Sequence, residues 1–203
     1  MAQMVEKFSI FAVLVGLALL PSLAGAQGDL WKFFTDQGVE AYTKGDFKKA
    51  ADLLNQALDE ARGYGPAGPY NSKVAVSLEN LAALHDDHGA HDKAAPLYRQ
   101  SIAAWEAVFG AGDVKLATKL NLVAVYFERR GNFDEAAGLY LRALRIAEGY
   151  LGPDHTVVAG VLSRLGGVHR KAGKYAAAEK FYLRAIAIRE VAAGVKSPKL
   201  IRM

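Results

Sequence analysis

Gly45, Gly89, Gly131 and Gly173 are spaced by 44, 42 and 42 residues, and self-similarity at such a period restricts a chain to stacked supersecondary units. The match extends beyond glycine. Two residues after each glycine stand Phe47, His91, Phe133 and Tyr175; five after it, Ala50, Ala94, Ala136 and Ala178; nine after it, Leu54, Tyr98, Tyr140 and Tyr182. Ala57, Ser101, Ala143 and Ala185, each followed by Leu58, Ile102, Leu144 and Ile186, complete the set. Apolar residues at 3.6-residue spacing make one stripe on a helix. The small ones let a neighbouring helix approach, and the large ones fill the gap.

Upstream of the last three glycines the same periodicity recurs as Leu78/Leu81/Ala82/His85, Leu120/Val123/Ala124/Phe127 and Leu162/Leu165/Gly166/His169, with Phe34/Gln37/Gly38/Ala41 a degenerate first copy. Each unit therefore reads as a first helix, a glycine turn, a second helix and a linker, and neither helix buries its stripe without the adjacent unit. Pro66, Pro69, Pro153 and Pro198 fall in the linkers or the tail, where a missing N–H costs little. Pro96 lies near a first turn if Asp92 is the N-cap of its helix. No segment alternates with period two between hairpin turns, so the expected fold is all-α.

These residues resemble the tetratricopeptide repeat, and the 42-residue spacing with the Leu151-Gly152-Pro153-Asp154-His155 linker is similar to the long variety of kinesin light chains. Phe34, Gly38, Ala50, Leu54 and Ala57 match the family pattern in the first unit, and Ala136, Tyr140 and Ala143 in the third. Departures are Gln37 in a normally apolar column and linkers at 65–71 and 109–113 without Gly-Pro-Asp-His. The resemblance implies a right-handed superhelical solenoid of about four helix-turn-helix repeats, at about 30–68, 71–110, 113–152 and 155–192 of a domain spanning 27–192, with 193–203 a flexible tail. It also implies a concave wall of first helices that receives a peptide or helix of a protein partner.

Ahead of the repeats, Phe8 to Leu20 is an apolar run of 13 residues, followed by Pro21 and the small-x-small Ala24-Gly25-Ala26. A membrane span needs about 20 residues, so residues 1–26 read as a signal peptide cleaved after Ala26, placing the domain in the periplasm or outside the cell. The competing reading is an uncleaved N-terminal anchor. Both put the repeats in an exported compartment.

The repeat register gives the groove-facing positions. They include Thr35, Val39 and Tyr42, then Glu79, Asn80, Ala83 and Asp86, then Thr118, Asn121, Val125 and Glu128, then Arg164, Gly167 and Arg170. The candidate partner-binding residues are Glu79, Asn80, Asn121, Val125, Arg164 and Arg170, with Asn80 and Asn121 foremost, because an amide both donates to and accepts from a partner's backbone. Some family members hold a carboxyl-terminal aspartate with Lys, Asn, Asn, Lys and Arg. Here Thr35, Val39, Asn80, Thr118 and Leu122 or Asn121 stand near those places, so that clamp is not reproduced.

Charge is uneven: −2 over residues 27–70, −2 over 71–112, zero over 113–154 and +8 over 155–203. The basic end, including Lys171, Lys174, Lys180, Arg184 and Arg189, defines a second candidate surface for peripheral association with an anionic envelope lipid or polymer. No aromatic-interleaved basic groove points to nucleic acid. The last helix, with Phe181, Tyr182, Ile186 and Ile188 and no clear capping helix after it, suggests a third behaviour, homo-oligomerisation through the last repeat.

Little points to chemistry. The chain has no cysteine, which excludes disulfides, thiolate metal sites and thiol nucleophiles. Gly63-Tyr-Gly65-Pro-Ala-Gly68 spells a dinucleotide fingerprint but follows a helix where a strand is required, and Gly173-Lys174 lacks the rest of a phosphate loop. His85, His88 and His91 beside Asp86 and Asp87 are spaced for a metal, yet register puts His85 and His91 in core columns and leaves only His88 and the aspartates exposed. No catalytic residue, metal or cofactor is therefore assigned, and the chain reads as a binding scaffold, not an enzyme.

Overall fold

The computed structural model describes residues 23–63 and 71–194, and among these every regular element is an α-helix. In chain order they are α1 (Leu23–Thr43), α2 (Phe47–Gly63), α3 (Asn71–Asp87), α4 (His91–Phe109), α5 (Val114–Arg129), α6 (Phe133–Leu151), α7 (Thr156–Lys171) and α8 (Tyr175–Ala192). The signal peptide lies outside the described residues except for 23–26, which open α1. The tail is described only to Gly194. No described helix is long and apolar enough to cross a membrane.

The chain divides into two compact units, residues 1–88 and 89–203. The division falls at the glycine turn inside the second repeat, where the register alone had suggested a boundary only between repeats. In the first unit α1 packs on α2 and α2 on α3; in the second, each helix from α4 to α8 packs on the next.

Each short turn ends its helix in the same way. Gly131 has φ +75°; its N–H donates to Glu128 and the Asn132 N–H to the Phe127 carbonyl at 2.9 Å. The left-handed conformation, open to glycine at no steric cost, reverses the chain and satisfies carbonyls that the helix end would orphan. Gly45 and Gly173 repeat the arrangement, with Asp46 N–H to Ala41 and Lys174 N–H to His169. Helix starts are capped by side chains where the sequence supplies one. Asp113 accepts from the Lys115 N–H, Asn132 from Glu135 and His155 from Val157. Asp92 is not such a cap: α4 starts a residue earlier, behind Ala90, whose side chain makes no capping bond. Pro96 is consequently the sixth residue of α4, inside the helix, and its ring leaves the Asp92 carbonyl without the usual helical donor.

The core follows the repeat columns. Ala50, Ala94, Ala136 and Ala178 are all buried, as are Leu54, Tyr98 and Tyr140. Opposite the large column sits a small one, Gly38, Ala82, Ala124 and Gly166. A Cβ added at Gly38 would lie 2.8 Å from Leu54 Cγ, and one added at Gly166 would lie 2.7 Å from a ring carbon of Tyr182. Consecutive second helices of the second unit are further tied by ion pairs at a constant separation of 36 residues. These are Arg99 Nε–Glu135 Oε1 at 2.7 Å, Glu106–Arg142 at 2.8 Å and Glu148–Arg184 at 2.6 Å. All are partly exposed, so each contributes at most about 1 kcal/mol.

Two glycines of α7 give opposite expectations. Gly160 has open space where a Cβ would go, so Gly160→Ala should raise stability by about 0.5–1 kcal/mol through helix propensity. Gly166→Ala gains the same propensity but displaces the Tyr182 ring, and should lower stability by about 1–3 kcal/mol. Urea unfolding followed by circular dichroism measures both; equal effects would show that the close approach at Gly166 is not tight.

Candidate functional site

In the first unit the first helices α1 and α3 lie on either side of α2. The Trp31 indole N–H donates to the buried Ser77 hydroxyl at 2.9 Å, and the Tyr42 hydroxyl donates to the Asp87 carboxylate, so the two helices are joined at both ends. Between these bonds is a pocket of about 180 Å³. Its walls are Val39, Leu54, Ala83 and Leu84, with Asn80 and the Tyr42–Asp87 pair as the polar members. Helical periodicity explains the lining from α3: Asn80, Ala83, Leu84 and Asp87 are i, i+3, i+4 and i+7 on one face. Leu54 reaches it because Gly38 has no side chain to stand in the way.

Of the sequence candidates, Asn80 lies in this pocket with Val39, Tyr42 and Ala83, while Glu79 is half-buried outside its lining. Asp87 and Leu84 did not emerge from the register. The signal for Asp87 was its i+7 spacing from Asn80, masked by its place in the His/Asp run. That run does not converge. The His88 ring lies 4.6 Å from Phe47, and His91 bonds to Arg130 at 2.8 Å. No group of three His, Asp or Glu side chains among the described residues is arranged to hold a metal ion.

In the second unit the first helices are α5 and α7. Asn121 and Val125 are both half-buried on α5, and Asn121 Oδ1 is buried without a hydrogen-bond partner. One turn on, Glu128 is the centre of a polar cluster. Its carboxylate accepts from the Tyr140 hydroxyl at 3.0 Å and from Lys171 Nζ at 2.7 Å. Arg164 of α7 donates to the same tyrosine oxygen. Burial, followed by the negative charge of Glu128, pushes the Tyr140 hydroxyl up to about 12. Arg164 and Arg170 are exposed.

The basic end is less free than its sequence suggests. Lys171 pairs with Glu128, Lys174 with Asp134 at 2.7 Å, and Arg184 with Glu148. The Lys174 bond also holds the Asp134 carboxyl below its usual range. Lys180 and Arg189 remain exposed. On α8 the outer apolar residues are Leu183 and Ile186; Ile188 is buried and Phe181 packs 5.0 Å from the His169 ring, so those two do not belong to an outward surface. Sequence reasoning also missed an open cleft of about 570 Å³ lined by Glu106, Arg142, Arg145, Ile146 and Tyr150 of α4 and α6.

The Tyr140 hydroxyl gives a pH expectation. A tyrosine whose folded pKa lies above its unfolded value leaves stability intact below about pH 10 and removes it as pH rises towards about 12. Helical dichroism of the wild type should fall over that window, and Tyr140→Phe should retain more of it at pH 11. Coincident alkaline transitions would show that Tyr140 is not the group responsible.

Two family models described as Tetratricopeptide repeat match the chain at residues 74–114 and 115–190, together more than half of it. Among solved structures it is similar to BtubC (BKLC) from P. vanneervenii, at 21% identity and a TM-score of 0.66 over 99% of this chain and 78% of that one. It is similar to a Podosopora anserina putative kinesin light chain with nearly identical TPR-like repeats, at 16% identity and a TM-score of 0.65 over 80% and 76% of the two chains. RapI aligns at 15% identity and a TM-score of 0.61 over 94% of this chain and 65% of its own. No curated protein matches. The fold is an all-α repeat solenoid of a kind typical of protein–protein interaction scaffolds, and the chain belongs to the tetratricopeptide repeat family.

Proposed function

We propose that this protein is an exported interaction scaffold that binds a peptide or a helix of a partner protein on the faces of its first helices. The observation that carries the reading is the pocket of the first unit. Its volume of about 180 Å³ suits one large side chain, its walls are apolar, and Asn80 stands at its edge as an amide able to bond the backbone of whatever chain delivers that side chain. An apolar anchor beside a backbone-reading amide is the arrangement that recognises an extended or helical segment. Asn121, with its unpartnered Oδ1, together with Val125, Arg164 and Arg170, forms the corresponding surface of the second unit. No catalysis is part of this reading. The exported location rests on the apolar run of residues 8–20 and the Ala24-Gly25-Ala26 site.

Docking through the basic end is the weaker proposal. Three of its five named residues already answer carboxylates of the same unit, and surface pairs of this kind leave little net field beyond a Debye length of about 10 Å.

Selection of peptides from a random library on the wild-type protein tests the reading. Selected peptides should carry a recurrent large apolar residue. Asn80→Ala should weaken them about tenfold, and Ala83→Trp, which fills the pocket, about a hundredfold, as expected for loss of a buried contact worth 1–3 kcal/mol. Binding indifferent to both substitutions but abolished by salt would transfer the function to the basic end.

A further inference from the structure

The column Leu58, Ile102, Leu144 and Ile186 occupies one place in all four second helices, and its exposure is 4%, 5%, 6% and 45%. The first three copies share a circumstance the fourth lacks. After α2, α4 and α6 the chain runs on into another first helix, α3, α5 or α7, which packs on the helix just completed. No described helix follows α8, and Leu183 beside Ile186 is exposed too.

The residues after α8 repeat the sequence that begins those following helices. Gly110, Gly152 and Gly194 are spaced by 42 residues, and their φ angles are +83°, +88° and +68°. Three residues beyond them stand Asp113, His155 and Ser197. The first two cap their helices with a side-chain acceptor, and serine is among the best residues for that place. Next come Val114, Thr156 and Pro198, and proline is favoured at a first helical position because its absent N–H would be orphaned there anyway. Lys115 and Lys199 share the following place. Leu116 and Val158 then correspond to Leu200, and Ala117 and Ala159 to Ile201; all four of those counterparts are buried.

We propose that residues 197–203 open a fifth first-helix against α8, with Leu200 and Ile201 covering Ile186 and Leu183. The occupant of this face is thus the chain's own tail, not a second copy. So short a helix does not hold in isolation; it depends on the apolar surface that α8 offers. This inference is independent of the peptide-binding reading, whose residues lie on α1, α3, α5 and α7.

Because the protein has no cysteine, a single introduced thiol reports the covering directly. In the full chain carrying Ile186→Cys, reaction with Ellman's reagent should be at least about tenfold slower than in the same chain also carrying Leu200→Asp and Ile201→Asp, the ratio expected when a local opening equilibrium gates access. Helical dichroism verifies that both chains are folded, and Leu200→Ser with Ile201→Ser replaces the aspartates should they unfold the protein. Equal rates would overturn the proposal. So would protection that appears only as protein concentration rises, since a second copy would then be the cover.

Discussion

Everything in this fold depends on how closely the two helices of a repeat approach. The approach is set by one pairing of columns, Gly38, Ala82, Ala124 and Gly166 against Leu54, Tyr98, Tyr140 and Tyr182. Where the small member is glycine, the partner's side chain occupies the volume that a methyl group would need. Dispersion between densely packed atoms is weak per contact and large in sum, so a helix pair brought close by a missing side chain is stabilised along its whole length. The same closeness lets Leu54 pass beneath Gly38 and form the floor of the pocket on α1 and α3. A packing device thereby creates the most concave feature of the first unit.

A second consequence concerns the tyrosines of the large column. Tyr140 is buried to its hydroxyl, and a buried hydroxyl without a partner would cost a few kcal/mol. Glu128 supplies the acceptor from α5, and Lys171 and Arg164 reach in from α7. Leu54 occupies the same place in the first unit and needs no such support. The polar cluster of the second unit therefore arises from the choice of tyrosine over leucine at one repeated position. Its charged members stand on the same helices as Asn121 and Val125, so satisfying the core also places charge on the candidate binding face.

The sequence made the helices, their turns and the buried columns legible, because 3.6-residue periodicity and a positive-φ glycine at each short turn are local requirements. It made Asn80 legible as a facing residue for the same reason. It did not reveal that Tyr42 and Asp87 close the pocket, since their meeting depends on the approach of two helices 45 residues apart. Nor did it place the start of α4. Asp92 is a good capping residue in isolation, but the repeat register starts the helix at His91, and tertiary register overrode local preference. Ile188 was misread as outward-facing because nearly every non-polar position of α8 is apolar, leaving the direction of its stripe undefined by sequence alone.

The charge distribution carries the last lesson of the repeat. Counted by segment, residues 155–203 hold an excess of +8 while 113–154 are neutral, which reads as a basic end. Lys171, Lys174 and Arg184 nonetheless reach back to Glu128, Asp134 and Glu148, so half of each pair is counted in one repeat and half in the other. In a stacked array the electrostatic unit is the interface between neighbours, and a sum taken repeat by repeat divides every such pair. Arg99–Glu135 and Glu106–Arg142 extend the same logic one repeat earlier. At each of these joints a carboxylate meets a cation one repeat away. The excess of the terminal repeat is therefore in part the unmatched half of a bonding pattern, with Lys180 and Arg189 on α8 left facing solvent where a further repeat would have followed.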